Sequence, residues 1–377
     1  MIAKSKDLTS TPNFMRVCVA LSLVLLLLFP DGVAMGQSCS AGIWTTSTVN
    51  LPAPIETFAA AVATTSTGTR LYVAGGYNAQ THTGKNTVSY VKLNADGSLD
   101  ATNGFTTQTM PAPISRDLCG VVNNGYLYVI GGVDYTNGGS GSTTQTIRRA
   151  HINTNGSLAA WSTQASALPT KLQLHGSVVL GGYLYVIGGS TFPDDSAPSQ
   201  QVTNKVYFSK IDTSNGSLTL PFSKGPTLVG DPANTAGNRY KTCPVVVGNR
   251  IYIAGGENGG GALQTVYYAT QGANGVLDGW TQASPLLSTD AAQAVVYNKG
   301  INLLGGDSNG HGVDWNTVYQ GAISNTNPSS ITWTTLTPLP GNVSRNAGAT
   351  FNTFVYSIGG LIGVNTDSSE INCMKKP

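Results

Sequence analysis

Most residues that could carry chemistry fall at one recurring place, just ahead of a small, apolar segment that the chain repeats six times. They are Glu56, Arg116, Asp117, Gln173, His175, Tyr240, Lys241, Asp290, Arg345 and Asn346, and nearby loops add Tyr135, Glu257, Asp307 and Trp315. Two arginines, a lysine and several aromatics around one mouth suit an anionic or hydroxylated ligand. If the site is catalytic, Arg116 or Arg345 would hold a carboxylate and Glu56 or His175 would move protons. The competing reading is a set of solvated loop residues joined in local pairs, such as Arg116 with Glu56. A glycosidase needs two carboxylates across one pocket, and among Glu56, Asp117, Asp290 and Glu257 the spacing selects no pair. His82, His151, His175 and His311 are scattered, without the short spacing that converges on zinc or copper, so no metal and no cofactor are expected. The segment NADGSL (94–99) has Ca²⁺-loop character but no later acidic ligand, and reads as a hairpin turn. No nucleophile elbow or phosphate loop is present.

The elements that must position these residues come from the repeat. A short aliphatic run ending in Gly-Gly occurs six times: LYVAGG (71–76), LYVIGG (127–132), LYVIGG (184–189), IYIAGG (251–256), INLLGG (301–306) and VYSIGG (355–360). Successive copies are 50 to 67 residues apart, the signature of a repeated supersecondary unit. Before each lies a small, apolar strand a: 58–62, 118–122, 175–180, 243–247, 292–296 and 347–351. The Gly-Gly run is strand b. After it come a variable loop, a third strand c (for example TVSYVKL, 87–93) and, in most copies, an Asn-Gly or Asp-Gly turn that favours a tight hairpin. An aromatic residue marks a fourth strand d: Phe105, Trp161, Phe222, Trp280 and Trp333.

Strands a and b are nearly unbroken apolar runs, as expected where both faces of a sheet are covered. That favours blades packed face to face around an axis over an open sandwich. Gly-Gly fits a backbone that approaches its neighbour closely or takes positive φ. The last copy lacks a d strand, and the segment GIWTTSTVNLP (42–52), with Trp44 in the marker position, supplies it. The N-terminal strand therefore completes the C-terminal blade and leaves no open edge. This closure sets Cys39 beside Cys373 and predicts a disulfide between them, whereas Cys119 and Cys243, on non-neighbouring blades, read as buried thiols.

With its six Gly-Gly copies, the chain resembles the kelch-repeat family over residues 40–377, in the form of the secreted bacterial kelch proteins. The wide gap from Tyr268 to Trp280 departs from adaptor-type kelch repeats. The resemblance implies an all-β, six-bladed kelch-type β-propeller over residues 37–377. It also implies an extracellular binding module for a protein or glycan, working through the loop face that carries the b–c loops and d–a connections. Ligand-binding candidates on that face are Arg116, Asp117, Tyr240, Lys241, Arg345, Asn346 and Trp315. The rival implied by the resemblance is a carbohydrate-active enzyme similar to the kelch sialic acid mutarotases, with Glu56 and His175 as catalytic candidates. The Tyr–His–Cys constellation of kelch-bearing copper radical oxidases is not found.

Composition narrows the partners. Only 10% of residues are charged and the formal net charge is +2. Residues 17–29 form an apolar run after Arg16 that ends at Pro30, with Ala34-Met35-Gly36 behind it, so residues 1–36 read as a cleaved signal peptide and Gln37 as the mature N-terminus. An uncleaved anchor is the alternative, and either Met1 or Met15 could be the start. Without residues 1–36 the chain keeps 17 basic and 16 acidic residues with no basic cluster, which argues against nucleic acid. The expectation is a secreted, monomeric protein, extracellular or periplasmic, free of the membrane after cleavage. Asn155, Asn215 and Asn342 open N-x-Ser/Thr sequons that matter only in a eukaryotic source.

Overall fold

Both glycines of all six Gly-Gly copies have positive φ, from 50° to 67° at the first and 90° to 112° at the second. The second range is closed to other residues, which explains why the pair recurs. The computed structural model describes residues 37–111, 116–134, 141–164, 167–191, 201–230, 236–258, 261–287, 292–307, 314–363 and 366–376. Residues 1–36, expected to be a signal peptide, and Tyr135, Asp290 and His311 lie outside them.

The described chain is a six-bladed β-propeller in which each blade is a four-stranded antiparallel sheet of order a-b-c-d. The a strands are Ala59–Thr65, Cys119–Asn123, Gly176–Leu180, Val245–Val247, Gln293–Tyr297 and Ala347–Phe351, for blades 1 to 6. The b strands are Gly68–Ala74, Tyr126–Ile130, Tyr183–Ile187, Arg250–Ala254, Gly300–Leu304 and Phe354–Leu361. Each a strand touches the a strands of both neighbouring blades, so the six close a ring around an axial channel.

Six apolar clusters hold the ring, one at each junction between blades. Alternate residues of a b strand serve different clusters. Leu127 and Val129 pack against blade 1, whereas Tyr128 and Ile130 pack against blade 3. This two-sided burial is the reason the b strands show no polar alternation.

Polar latches join the same neighbours. The b-strand tyrosine of one blade donates its hydroxyl to a carbonyl in the c–d turn of the next: Tyr72 to Gly156 (2.7 Å), Tyr128 to Gly216 (2.7 Å), Tyr185 to Gly275 (2.6 Å), Tyr252 to Pro328 (3.2 Å) and Tyr356 to Gly97 (2.8 Å). Burial pushes the Tyr72, Tyr128 and Tyr252 phenols up to about 12, so they remain donors. The turn glycines are required twice over. Gly216 has φ +69°, and a Cβ there would lie 2.7 Å from the Tyr126 ring of the preceding blade. The d-strand tryptophans reach the other way, toward the preceding blade. Trp280 donates its indole N–H to Pro226 O (3.0 Å), Trp333 to Ser284 O (3.3 Å) and Trp44 to Thr337 O (3.0 Å). Five of the six aromatic markers stand one residue before strand d rather than inside it; Trp333 alone lies within its strand, Ile331–Leu336.

The seam falls inside blade 6. Its d strand is Thr45–Thr46 from the N-terminus, with Thr45 opposite Cys373 on the c strand Asp367–Lys375. The Cys39–Cys373 disulfide lies beside that pairing, with Cα atoms 5.5 Å apart. With its c and d strands drawn from opposite ends of the chain, blade 6 has no c–d turn to offer blade 5. The blade 5 copy reads INLLGG, and Asn302 replaces the tyrosine and accepts from Lys376 Nζ at 3.0 Å.

Replacing Cys39 and Cys373 together by serine should lower stability by about 2–4 kcal/mol, read as a shift in denaturation midpoint that reducing agent reproduces in the parent protein. Tyr128→Phe, which leaves the buried Gly216 carbonyl unmet, should cost about 1–3 kcal/mol in the same assay.

Candidate functional site

Just ahead of five of the six a strands the backbone makes a left-handed step on residues that are not glycine. Thr57, Asp117, Leu174, Lys241 and Arg345 hold φ between 50° and 56° at equivalent positions in blades 1, 2, 3, 4 and 6. Their main chains are hydrogen-bonded from blade to blade. Thr57 N donates to Arg345 O (3.2 Å), Asp117 N to Thr57 O (2.9 Å), Leu174 N to Asp117 O (2.9 Å) and Lys241 N to Leu174 O (2.8 Å). Among the described residues a belt of peptide groups thus runs from blade 6 through blades 1, 2 and 3 to blade 4 at the b–c loop end of the channel. A second tier lies beside it, where the second glycine of Gly-Gly donates to the chain entering the next blade: Gly132 N to Leu172 O and Gly306 N to Val343 O, both 2.9 Å.

All five belt residues line a cavity of about 230 Å³ at the b–c loop end of the channel. His175, Thr242, Gln293, Asp307 and Asn346 add polar groups to its wall, and Ala59, Gly120, Leu118, Pro244, Ala294 and Gly348 add small, apolar surface. The channel-side glycines are set by close approach: a Cβ on Gly120 would stand 2.7 Å from Ala59 Cβ, and one on Gly348 would stand 2.5 Å from Val295 Cγ1.

The charged residues of this end form close pairs. Arg345 Nη1 lies 3.0 Å from Glu56 Oε2, Lys241 Nζ 2.9 Å from Glu257 Oε1, and Arg116 Nε 2.9 Å from Asp117 Oδ2. Glu56, Asp117 and Glu257 are buried. Of the expected local pair Arg116–Glu56, each member has a close ion partner: Asp117 for Arg116 and Arg345 for Glu56. Glu56 sits one residue before Thr57, whose amide is tied to Arg345 of blade 6, and so it meets that arginine. Arg116 turns to its own neighbour Asp117 and lies 4.9 Å from the Tyr77 ring centroid. These residues are packed, not solvated.

His175 is buried against glycine backbone, its Cε1 2.7 Å from where a Cβ on Gly131 would stand. Neither ring nitrogen has a hydrogen-bond partner, and burial lowers its pKa to about 4, so the ring is neutral. Asn346 donates from Nδ2 to Ser357 Oγ at 2.9 Å and keeps Oδ1 unmet. Tyr240 is buried against Val202 and does not line the cavity; Gln173 is buried, paired in backbone with Ser190. Trp315 is exposed, away from the cavity wall. Cys119 and Cys243 are free thiols on the channel wall, only partly buried. Burial pushes the Cys119 thiol up to about 12, and it donates to His175 O at 2.6 Å. Asp96 of the NADGSL turn accepts from Ser98 N and Oγ, as a hairpin turn requires.

Of the candidate residues, then, the fold brings Asp117, His175, Lys241, Asp307, Arg345 and Asn346 to one cavity. Thr57 and Leu174 belong with them but were not singled out from the sequence. The available signal was their place in the repeat, just before strand a, in register with Asp117, Lys241 and Arg345.

No family model and no curated protein matches the chain. Its fold is similar to a solved structure titled "Structure of YjhT", with TM-score 0.65 and 14% identity over 85% of this chain and 95% of that one. The likeness is one of fold, a kelch-like β-propeller.

A buried neutral histidine makes stability depend on pH. The unfolded chain protonates His175 near its ordinary value of about 6.5, whereas the folded ring resists protonation until about 4. The unfolded state therefore gains the proton first, and stability falls as pH drops from 6.5 toward 4. In His175→Gln this component should vanish, so the stability change between pH 7 and 4.5 should be smaller by about 2 kcal/mol than in the parent. Urea midpoints at both pH values check it.

Proposed function

We propose that the mature chain is an exported binding protein that captures the end of a glycan in its axial cavity. The observation that carries this reading is the convergence of six polar candidates on one recess of about 230 Å³. That space suits a single ring with its substituents and is smaller than a typical drug-sized pocket. A wall mixing apolar patches with fixed polar groups is what a hydroxylated ring requires. Loops on a rigid scaffold are also a common home for recognition. The Cys39–Cys373 bond supports export, since such bonds persist in oxidising compartments. The reading narrows the larger expectation of a loop face for a protein or glycan, because the ordered polar groups lie within the channel mouth.

A second reading is a mutarotase-like enzyme. It draws support from Asp117 and His175, an acid and a base among the residues around the same cavity. Mutarotation needs only an acid and a base at the sugar ring. Magnetisation transfer between the anomers of a bound reducing sugar distinguishes the two: acceleration by the protein supports the enzyme, and its absence supports simple binding.

Leu174→Trp tests the site without disturbing an ion pair. The larger side chain enters the cavity from the belt, and binding of the best ligand from a glycan array should fall at least tenfold while circular dichroism stays unchanged. Full binding by a folded Leu174→Trp variant would exclude the channel as the site.

A further inference from the structure

We propose that the end of the propeller formed by the a–b and c–d turns, opposite the cavity, docks the protein on a bilayer surface with anionic headgroups. The inference is independent of the glycan reading, because it uses the other end of the axis. Strand b begins at this end and strand c finishes there, so the pairing register shows what each blade presents. In blade 1 Arg70 stands opposite Lys92, in blade 2 Tyr126 opposite His151, and in blade 3 Tyr183 opposite Lys210. In blade 4 the pair is Arg250 with Thr270, and in blade 6 Phe354 with Lys375. Arg149 lies two residues before His151, and Lys299 occupies the a–b turn of blade 5. Every blade thus brings at least one cation to the same end. Sequence alone hides the array, since each blade adds only one or two residues and the repeats lie far apart.

Lys92, Lys210, Lys299 and Lys375 are exposed, and Arg70, Arg149 and Arg250 are partly so. Among the described residues none of these seven has a carboxylate within ion-pair distance. Arg70 and Lys92 are like charges directly opposite on paired strands, an arrangement that costs stability. Four acids share this end, and each is engaged as an acceptor: Asp96 from Ser98, Asp100 from Thr102 and Asn103, Asp212 from Ser214 and Asp278 from Thr270 N. Seven cations against these four acids leave the end positive. The rest of residues 37–377 keeps 10 of the 17 basic and 12 of the 16 acidic residues. A chain of nearly balanced charge is therefore polar from end to end, which orients it toward a negative surface.

The layout also points to the kind of partner. All six blades carry the cations around the axis, so an extended flat surface meets them together, whereas a linear polyanion follows only one arc. Ile43, Leu220 and Val276 stand at the same end and are 62%, 44% and 52% exposed. Ile43 follows Gly42, whose amide is bonded to Lys375 O, and Leu220 follows Thr219, whose amide is bonded to Lys210 O. Val276 lies in the c–d turn of blade 4. Aliphatic side chains beside cations suit the boundary between headgroups and acyl chains, where apolar burial adds to electrostatic attraction. The contact is peripheral and made by turns and strand ends, and in this it departs from the expectation of a chain free of the membrane.

Co-sedimentation of the mature protein with vesicles tests it. Phosphatidylcholine vesicles with about one third phosphatidylglycerol should bind it about tenfold or more tighter than phosphatidylcholine alone at low ionic strength, and release it in about 0.5 M salt. Lys92→Gln with Lys375→Gln, and separately Lys210→Gln with Arg250→Gln, remove charge from opposite sides of the ring. Each double variant should bind about tenfold or more weakly, since one cation near such a surface is worth about fivefold. Leu174→Trp, altered only in the cavity, should bind vesicles as the parent does. No preference for anionic vesicles overturns the inference. Binding to heparin with none to vesicles also overturns it and marks a site for a linear polyanion. If only one of the two folded double variants loses binding, a single arc carries the contact and planar docking is wrong.

Discussion

Every blade of this propeller carries hydrogen-bonding groups that only its neighbour can satisfy, and the rest of the structure follows from that dependence. The Tyr128 hydroxyl has its acceptor at Gly216, in the next blade, and the Trp280 indole has its acceptor at Pro226, in the preceding one. Gly132 N is bonded to Leu172 O just ahead of blade 3. A buried donor left unmet costs about 1–3 kcal/mol, so a lone blade would carry several such costs together with two uncovered apolar faces. Only the closed ring removes them all. The positive-φ glycines are what let the main chains approach closely enough for this to happen.

The same dependence explains where a site can form. Toward the rim, neighbouring blades satisfy each other with apolar clusters and side-chain latches. At the b–c loop end of the axis the main chain is tied off by the belt at Thr57, Asp117, Leu174, Lys241 and Arg345. With the peptide groups satisfied there, side chains are released from structural duty. The ion pairs Arg345–Glu56 and Lys241–Glu257 then stiffen the mouth.

Fold and seam were readable in the sequence because they rest on local, repeated requirements. Gly-Gly recurs for its φ values, the b-strand tyrosine for its distant acceptor, and Trp44 and Cys39 announce the closing strand. Even the departure INLLGG has a cause, since Asn302 faces a blade without a c–d turn and meets Lys376 instead. The site was less readable. Arg116, Asp117, Lys241 and Arg345 stood out as charged residues, but their partners depend on which blades adjoin, and Glu56 meets Arg345 across 289 residues of sequence. Thr57 and Leu174 are chemically unremarkable types whose importance comes from backbone position alone. The wedging of His175 between glycines depends on packing that a single sequence does not display.

The seam inside blade 6 also sets an order in time. A chain made from its N-terminus offers Thr45–Thr46 first, but the strand it pairs with, Asp367–Lys375, is the last to be made. Until then the opening segment has no edge to join, and Cys39 has no mate within the next 333 residues of its own closed structure; its partner stands 334 residues away. Blades 1 to 5 can assemble as an open arc while the ends remain apart. The ring becomes a ring only once Asp367–Lys375 is present, and a product truncated before that strand has no means of sealing itself.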